Sequence, residues 1–145
     1  NPKNRLEILR ETGSLIESPS YYGHLTGREN LEIVRTLKKT PEKEVDQVLK
    51  LVRMERQQNK KAREYSLGMK QKLGIAAAVM ENPDIIILDE PINALDDVSV
   101  EKVHDILEEQ KKRGAVIIIA CHDKEELEML SDEIIEISEG RIIEK

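Results

Sequence analysis

An α/β fold built on a parallel sheet is what the sequence predicts, and three observations carry that prediction. Ile85-Ile-Ile-Leu88 and Val116-Ile-Ile-Ile-Ala120 are apolar at every position, the pattern of parallel strands covered on both faces. Between them, Val98 to Arg113 reads as a helix ending at Gly114, a residue suited to a helix C-terminus. Strand, helix and strand in that order describe a crossover, which makes the two strands parallel. At 145 residues the chain is long enough for one compact domain with a hydrophobic core.

The remaining elements follow in order. Thr12 to Glu17 reads as a short strand, ended by Ser18-Pro19. Thr26-Gly-Arg-Glu29 has capping-box spacing, and Leu31, Val34 and Leu37 follow as the apolar face of a helix. Thr40-Pro41 starts a second helix with proline at the first helical position, and Val45, Val48, Leu49 and Val52 form its core stripe. A helix is predicted from Gly68 to Glu81, stopped by Asn82-Pro83. Beyond the second strand, Asp123 to Glu126 caps a short helix, and Ile134–Ile137 pairs with Ile142-Ile143 across Glu139-Gly140. The first half is mainly helical, so the chain divides into residues 1–19 with the first strand, a helical lobe over 20–64 and a sheet lobe over 65–145.

Charged residues make up 36% of the chain and the net charge is -6, which reads as soluble and acidic rather than disordered. Nucleic-acid binding through a broadly basic surface is not expected. The charge is uneven: Lys38 to Glu64 carries nine Lys/Arg against five Asp/Glu. That stretch is either a solvated helix pair or a face for a membrane-associated partner. Cys121 stands alone and forms no internal disulfide, which suits a reducing compartment. No apolar run approaches the ~20 residues that span a bilayer. No signal-peptide pattern is present, and a start at Asn1 without Met leads us to expect that the true N-terminus is missing. Phe and Trp are absent, leaving Ile, Leu, Val, Ala and Met to build the core.

Three places carry chemistry. Ile85 to Pro91 is a buried strand ending in Asp89 and Glu90, at the carboxyl edge where open α/β sheets bind ligands. Asp89 suits Mg²⁺ held through water, and Glu90 suits a group that orients or deprotonates an attacking water. Ser66 and Gly68 stand at a helix start, where backbone N–H groups and a hydroxyl make an anion site; for Ser66 taken alone, an ordinary serine cap is the better explanation. His122 follows the strand Val116–Ala120 and reaches the edge that holds Glu90. His24 and His104 invite only structural readings.

Order and spacing together resemble the ABC ATPase family over about Gly13 to Lys145. Ser66 to Met69 falls on its signature motif, Leu88-Asp89-Glu90 on Walker B, Asn93-Ala-Leu-Asp96 on the D-loop and His122 on the switch histidine. Asn82-Pro83-Asp84 ahead of Walker B also fits. The resemblance implies a P-loop NTPase (RecA-like) sheet lobe, truncated at its start, joined to the family's helical lobe. ATP and Mg²⁺ are the implied cofactors, with Asp89 and Glu17 on the metal directly or through water. Leu67 and Met69 replace the usual glycine and glutamine of the signature. Glu17 stands where the family's Q-loop glutamine is usual, although an exposed strand-end residue is the plainer reading. Leu15-Ile-Glu17 followed by Pro19, Tyr21-Tyr22 and Asn30-Leu31 resembles the branch that serves bacitracin and lantibiotic resistance or immunity.

No glycine is followed by Lys-Ser/Thr, so the phosphate-binding loop is absent from this sequence. Because the downstream motifs are intact, we expect truncation rather than decay. The chain by itself is expected neither to hydrolyse ATP nor to bind it tightly. In the full protein the resemblance implies two copies enclosing two ATP molecules. Asp89, Glu90, Glu17 and His122 would come from one copy and Ser66 and Gly68 from the other, with Asp96 transmitting closure. Membrane-spanning transporter subunits are the implied partners, and the cytoplasmic face of the cell membrane the implied place. The alternative is a soluble ABC ATPase acting on ribosomes or DNA.

Overall fold

The structure, a computed structural model, describes residues 2–17 and 20–143. In chain order the elements are α1 (Pro2–Arg10), β1 (Thr12–Leu15), α2 (Gly27–Lys38), α3 (Lys43–Leu51), α4 (Leu67–Val79), β2 (Ile85–Asp89), α5 (Asp97–Lys112), β3 (Val116–Ala120), α6 (Lys124–Leu130), β4 (Glu136–Ser138) and β5 (Arg141–Ile143). A single 3₁₀ turn, Ala62–Glu64, precedes α4. Strands β1, β2 and β3 form one parallel sheet in that order, and β4 and β5 form a separate antiparallel hairpin.

The helix starts show why these segments fold where they do. Thr26 and Glu29 make the reciprocal capping box at α2: the Thr26 hydroxyl accepts from the Glu29 amide at 3.1 Å, and the Glu29 carboxylate accepts from the Thr26 amide at 2.7 Å. Buried Asn30 then ties the preceding loop down, exchanging hydrogen bonds with the Tyr22 backbone in both directions. Leu31 is buried and Val34 partly so, but Leu37 is 72% exposed. Six residues after Leu31, it has rotated about 120° off the apolar face. Helix α3 begins at Lys43 rather than at Pro41, whose carbonyl accepts from the Glu44 amide in the turn ahead of the helix. Helix α4 ends at Val79, short of Glu81, because Glu81 and Asn82 both take left-handed conformations (φ 69° and 51°). Helix α1 was not anticipated; its Ile8 and Leu9 are exposed and adjacent, so they form no stripe at helical spacing.

The sheet departs from the expected two-sided burial. Rows of same-face residues run across it: Gly13, Ile86 and Ile117, then Leu15, Leu88 and Ile119. On that face Ile86 and Leu88 are fully buried, with α4 packed over β1 and β2 and α5 over β3. On the other face Ile85 and Ile87 are only partly covered, and Val116 and Ile118 are 59% and 54% exposed. Among the described residues no element covers that second face, so an apolar strand pattern marks a surface here as well as a core. The first face belongs to one hydrophobic core that also includes Val45, Val48 and Leu49 of α3 and Val52 just past its end, the expected stripe. Met54 and Met80 fill space in that core, fully buried. At the far end, Glu139 and Gly140 both have positive φ, the two-residue hairpin turn that sets Ile137 opposite Ile142. Strand β1 ends at Leu15, two residues short of the expected Glu17, which takes a left-handed conformation (φ 58°); Ser18-Pro19 lie outside the described residues.

Candidate functional site

Strand β2 stops at Asp89 and the chain turns sharply at Glu90, which has φ 49°. A left-handed non-glycine residue costs on the order of 1–3 kcal/mol and persists only where its surroundings fix it. Two hydrogen bonds do so. The Glu90 amide donates to the Ala120 carbonyl at 2.8 Å, and the Glu90 carbonyl accepts from the Gln71 amide side chain at 2.7 Å. Gln71 is buried on α4, so the helix that starts at Ser66 holds the main chain at Glu90 directly.

The Glu90 side chain meets the residues after β3. Its Oε1 accepts from the His122 amide at 3.0 Å and lies 2.6 Å from His122 Nδ1. Its Oε2 is 3.6 Å from the Cys121 sulfur, which lies closer, at 3.1 Å, to Glu126 Oε2. One thiol carries one proton, so Cys121 donates to only one carboxylate at a time. Burial, then the Glu126 hydrogen bond, pushes that thiol up to about 12, leaving it a donor rather than a nucleophile. Burial pushes the Glu90 carboxyl up, but the two His122 hydrogen bonds and the imidazole charge outweigh it, and the net shift is downward. His122 shifts upward, chiefly through its hydrogen bond to Glu90 and then through the carboxylate's charge.

The sign of each shift sets a pH window. The Glu90 contribution is present above the ordinary carboxyl value and disappears as pH falls through its lowered value. That of His122 is present below the ordinary imidazole value and disappears as pH rises through its raised value. His122 is therefore expected to titrate above an ordinary histidine in NMR spectra of the full-length protein, and to fall in Glu90→Gln, which removes the largest cause of the rise. An unmoved midpoint in that variant would mean the contact does not form in solution.

Asp89 lies beside Glu90 and its Oδ2 accepts from the Glu17 amide at 3.2 Å. The turn at Glu17 is also left-handed, with φ 58°. It is the Glu17 backbone, not its carboxylate, that reaches Asp89. The side chains at this edge offer hard oxygen donors, a set that fits Mg²⁺.

Ser66 and Asp96 serve their own helices. Ser66 caps α4 by accepting from the Met69 amide at 3.2 Å, and Asp96 caps α5 by accepting from the Ser99 amide at 2.8 Å. The Ser99 hydrogen bonds hold the Asp96 carboxyl below its usual range. Among the described residues neither side chain bonds to Asp89 or Glu90. Gly68 has a separate reason to be glycine: a Cβ there would lie 2.8 Å from the Ala94 carbonyl oxygen. The first turn of α4 thus rests against the Asn93–Asp96 loop, while the unusual Leu67 is 60% exposed. Glu17, Asp89, Glu90 and His122 gather at one sheet edge; of the others only Gly68 lies against the Asn93–Asp96 loop, at Ala94 and Leu95, while Ser66 and Asp96 each cap their own helix. Sequence reasoning missed Gln71 and Glu126. The burial of Gln71 was findable, because it falls at helical spacing between Gly68 and Ile75 on the buried side of α4, whereas its bond to Glu90 was not.

Comparison with known proteins places this arrangement. The family model described as "ABC transporter" matches residues 2–93. The bacitracin transport ATP-binding protein BcrA of Enterococcus faecalis is 40% identical over 148 residues, covering 100% of this chain and 48% of that protein. The lantibiotic transport ATP-binding protein SrtF of Streptococcus pyogenes is 38% identical over 135 residues, covering 93% of this chain and 59% of that protein. A solved structure of an ATP-binding subunit of an ABC transporter superposes with a TM-score of 0.88 at 28% identity, over 97% of this chain and 60% of that one. The chain spans about half the length of the curated relatives it matches.

Proposed function

This chain belongs to the ABC transporter ATP-binding family, and from that membership we propose that the full-length protein is the ATP-hydrolysing subunit of a transporter for a peptide-type antibiotic. The observation that carries the catalytic part is the paired geometry of Glu90 and His122 at the carboxyl edge of the sheet. The similarity to bacitracin and lantibiotic transport proteins supports the antibiotic part.

In this reading Glu90 takes a proton from the water that attacks the γ-phosphate. Oε1 takes both His122 hydrogen bonds, which leaves Oε2, 3.6 Å from the Cys121 sulfur, as the oxygen to take the proton. His122, with its raised imidazole, holds Glu90 in place and carries positive charge toward the phosphate. Asp89, steadied by the Glu17 amide, would hold Mg²⁺, which when bound neutralises phosphate charge. Ser66 and the backbone about Gly68 would contact the γ-phosphate of ATP bound mainly by a second copy. The phosphate-binding loop is not among these 145 residues, so this chain alone is expected to be inactive. Membrane-spanning subunits would be the partners, moved by closure of the two copies through the Asn93–Asp96 loop.

We assign the Glu17 side chain, which stands where the family's Q-loop glutamine is usual, to coupling with the membrane subunits, and Glu17→Gln separates that role from chemistry. Because the Asp89 contact comes from the Glu17 main chain, the substitution leaves it in place. ATPase activity in the full-length protein with its membrane partners is expected to stay within roughly an order of magnitude, while antibiotic resistance falls. Equal, severe loss of both would place the Glu17 carboxylate in the hydrolytic machinery instead.

A further inference from the structure

Cys121 stands between two carboxylates, one of which is the Glu90 assigned above to the attacking water. Three acceptors surround its sulfur: Glu126 Oε2 at 3.1 Å, Glu90 Oε2 at 3.6 Å and the Asp123 carbonyl at 3.7 Å. The approach of Glu126 is built by the chain that follows β3. Asp123 caps α6 by accepting from the Glu125 and Glu126 amides at 2.9 and 3.2 Å, which sets the first turn of that helix against the strand end. One oxygen of Glu90, one of Glu126 and the sulfur all lie within 4.8 Å of one another, and all three residues are half-buried. Hydrogen bonds there are stronger than in open water.

A thiol has one proton to give, and its bond weakens as the distance grows. Burial, and then the Glu126 hydrogen bond, push the Cys121 thiol up to about 12, so at neutral pH the sulfur keeps that proton. The 3.1 Å contact takes it, and the longer contact to Glu90 goes without. Oε2 of Glu90 then keeps its lone pairs free, while Oε1 takes both His122 bonds. A thiol turned to Glu90 would instead occupy the oxygen that must accept the proton of water. We propose that Glu126 is a positioning residue for hydrolysis: it holds the Cys121 proton and so keeps Oε2 of Glu90 open to the attacking water. This rests on the reading of Glu90 as the base. Without Glu126 the thiol has Glu90 and the Asp123 carbonyl at nearly equal distance, and the charged carboxylate is the stronger acceptor.

The test is a double-mutant cycle in the full-length protein with its membrane partners, reading kcat and KM for ATP. Glu126→Ala is expected to lower kcat by about tenfold, the low end for a hydrogen bond to a charged group, with KM unmoved. In the Cys121→Ala background the same substitution is expected to cost little, because no thiol is left to turn. An equal loss in both backgrounds, or none in either, would overturn the proposal. The infrared S–H band, assigned by its disappearance in Cys121→Ala, reads the proton directly and needs no turnover. It is expected to shift in Glu126→Ala and to hold in Glu90→Gln. A band that shifts in Glu90→Gln and holds in Glu126→Ala would put the proton on Glu90 and overturn the assignment. Failure of the base reading looks different: Glu90→Gln then keeps its turnover, whereas failure of the Glu126 role alone leaves that loss in place.

Discussion

Replacing Glu90 by glutamine in the full-length protein is expected to lower ATP hydrolysis by about 10²- to 10⁴-fold, the usual loss on removing a general base. The architecture predicts a loss of chemistry with little loss of fold. The left-handed turn at Glu90 is fixed through its main chain, by the Ala120 carbonyl and by Gln71, and neither contact needs a carboxylate. A glutamine oxygen can still accept from the His122 amide. What it lacks is the basicity that takes a proton and the charge that raises the imidazole. ATP binding is expected to persist and the ATP-bound pair of copies to outlive that of the wild type. The check is turnover and a thermal melt on one preparation: collapse of turnover with an unchanged melting temperature fits, whereas equal losses in both would make Glu90 structural.

Gly13→Ala is expected to destabilise the protein by about 3 kcal/mol or more, at the upper end of overpacking penalties. A Cβ at Gly13 would overlap the Ala78 carbonyl oxygen and lie 2.7 Å from its carbon. Both atoms are backbone of α4, so no side chain can swing aside; β1 must move away from the helix. That movement disturbs Leu15 in the core and the Glu17–Asp89 hydrogen bond just beyond it, so activity should fall along with stability. Gly27→Ala is the useful comparison, because its Cβ would overlap the Tyr65 hydroxyl, the far end of a side chain. Urea unfolding of both variants is expected to rank Gly13 well above Gly27. The reverse order would contradict the close packing of β1 on α4.

Much of this was legible before any coordinates, and the reasons are local. The Thr26–Glu29 box, the Ser66 and Asp123 caps and the Glu139-Gly140 turn depend on residues within a few positions of one another. The strands β2 and β3 were equally plain, as unbroken apolar runs. Which faces of those strands are covered was not legible, because Ile86 and Ile118 look alike in sequence while one is fully buried and the other 54% exposed. The candidate site was legible as types and spacing: Asp89, Glu90 and His122 stand at the carboxyl ends of apolar strands that pair in parallel. Its supports were not. Gln71 sits in the polar run Lys70-Gln-Lys72, and its bond to Glu90 spans nineteen residues. Cys121 and Glu126 contact each other only because α6 turns back over the end of β3. Such tertiary contacts leave no periodic trace.

The central claim is that each hydrolytic site joins Glu90 of one copy to the Ser66 helix start of another. Mixing two inactive full-length variants tests it. Glu90→Gln removes the base, and Ser66→Glu sets a carboxylate against the phosphate. If the two residues act across copies, a mixed pair contains one site in which both are intact. Random pairing then restores about a quarter of the wild-type rate, since half of the pairs are mixed and each keeps one working site. If Glu90 and Ser66 act within the same copy, every site in every pair remains defective, and the mixture stays at the level of its two parents.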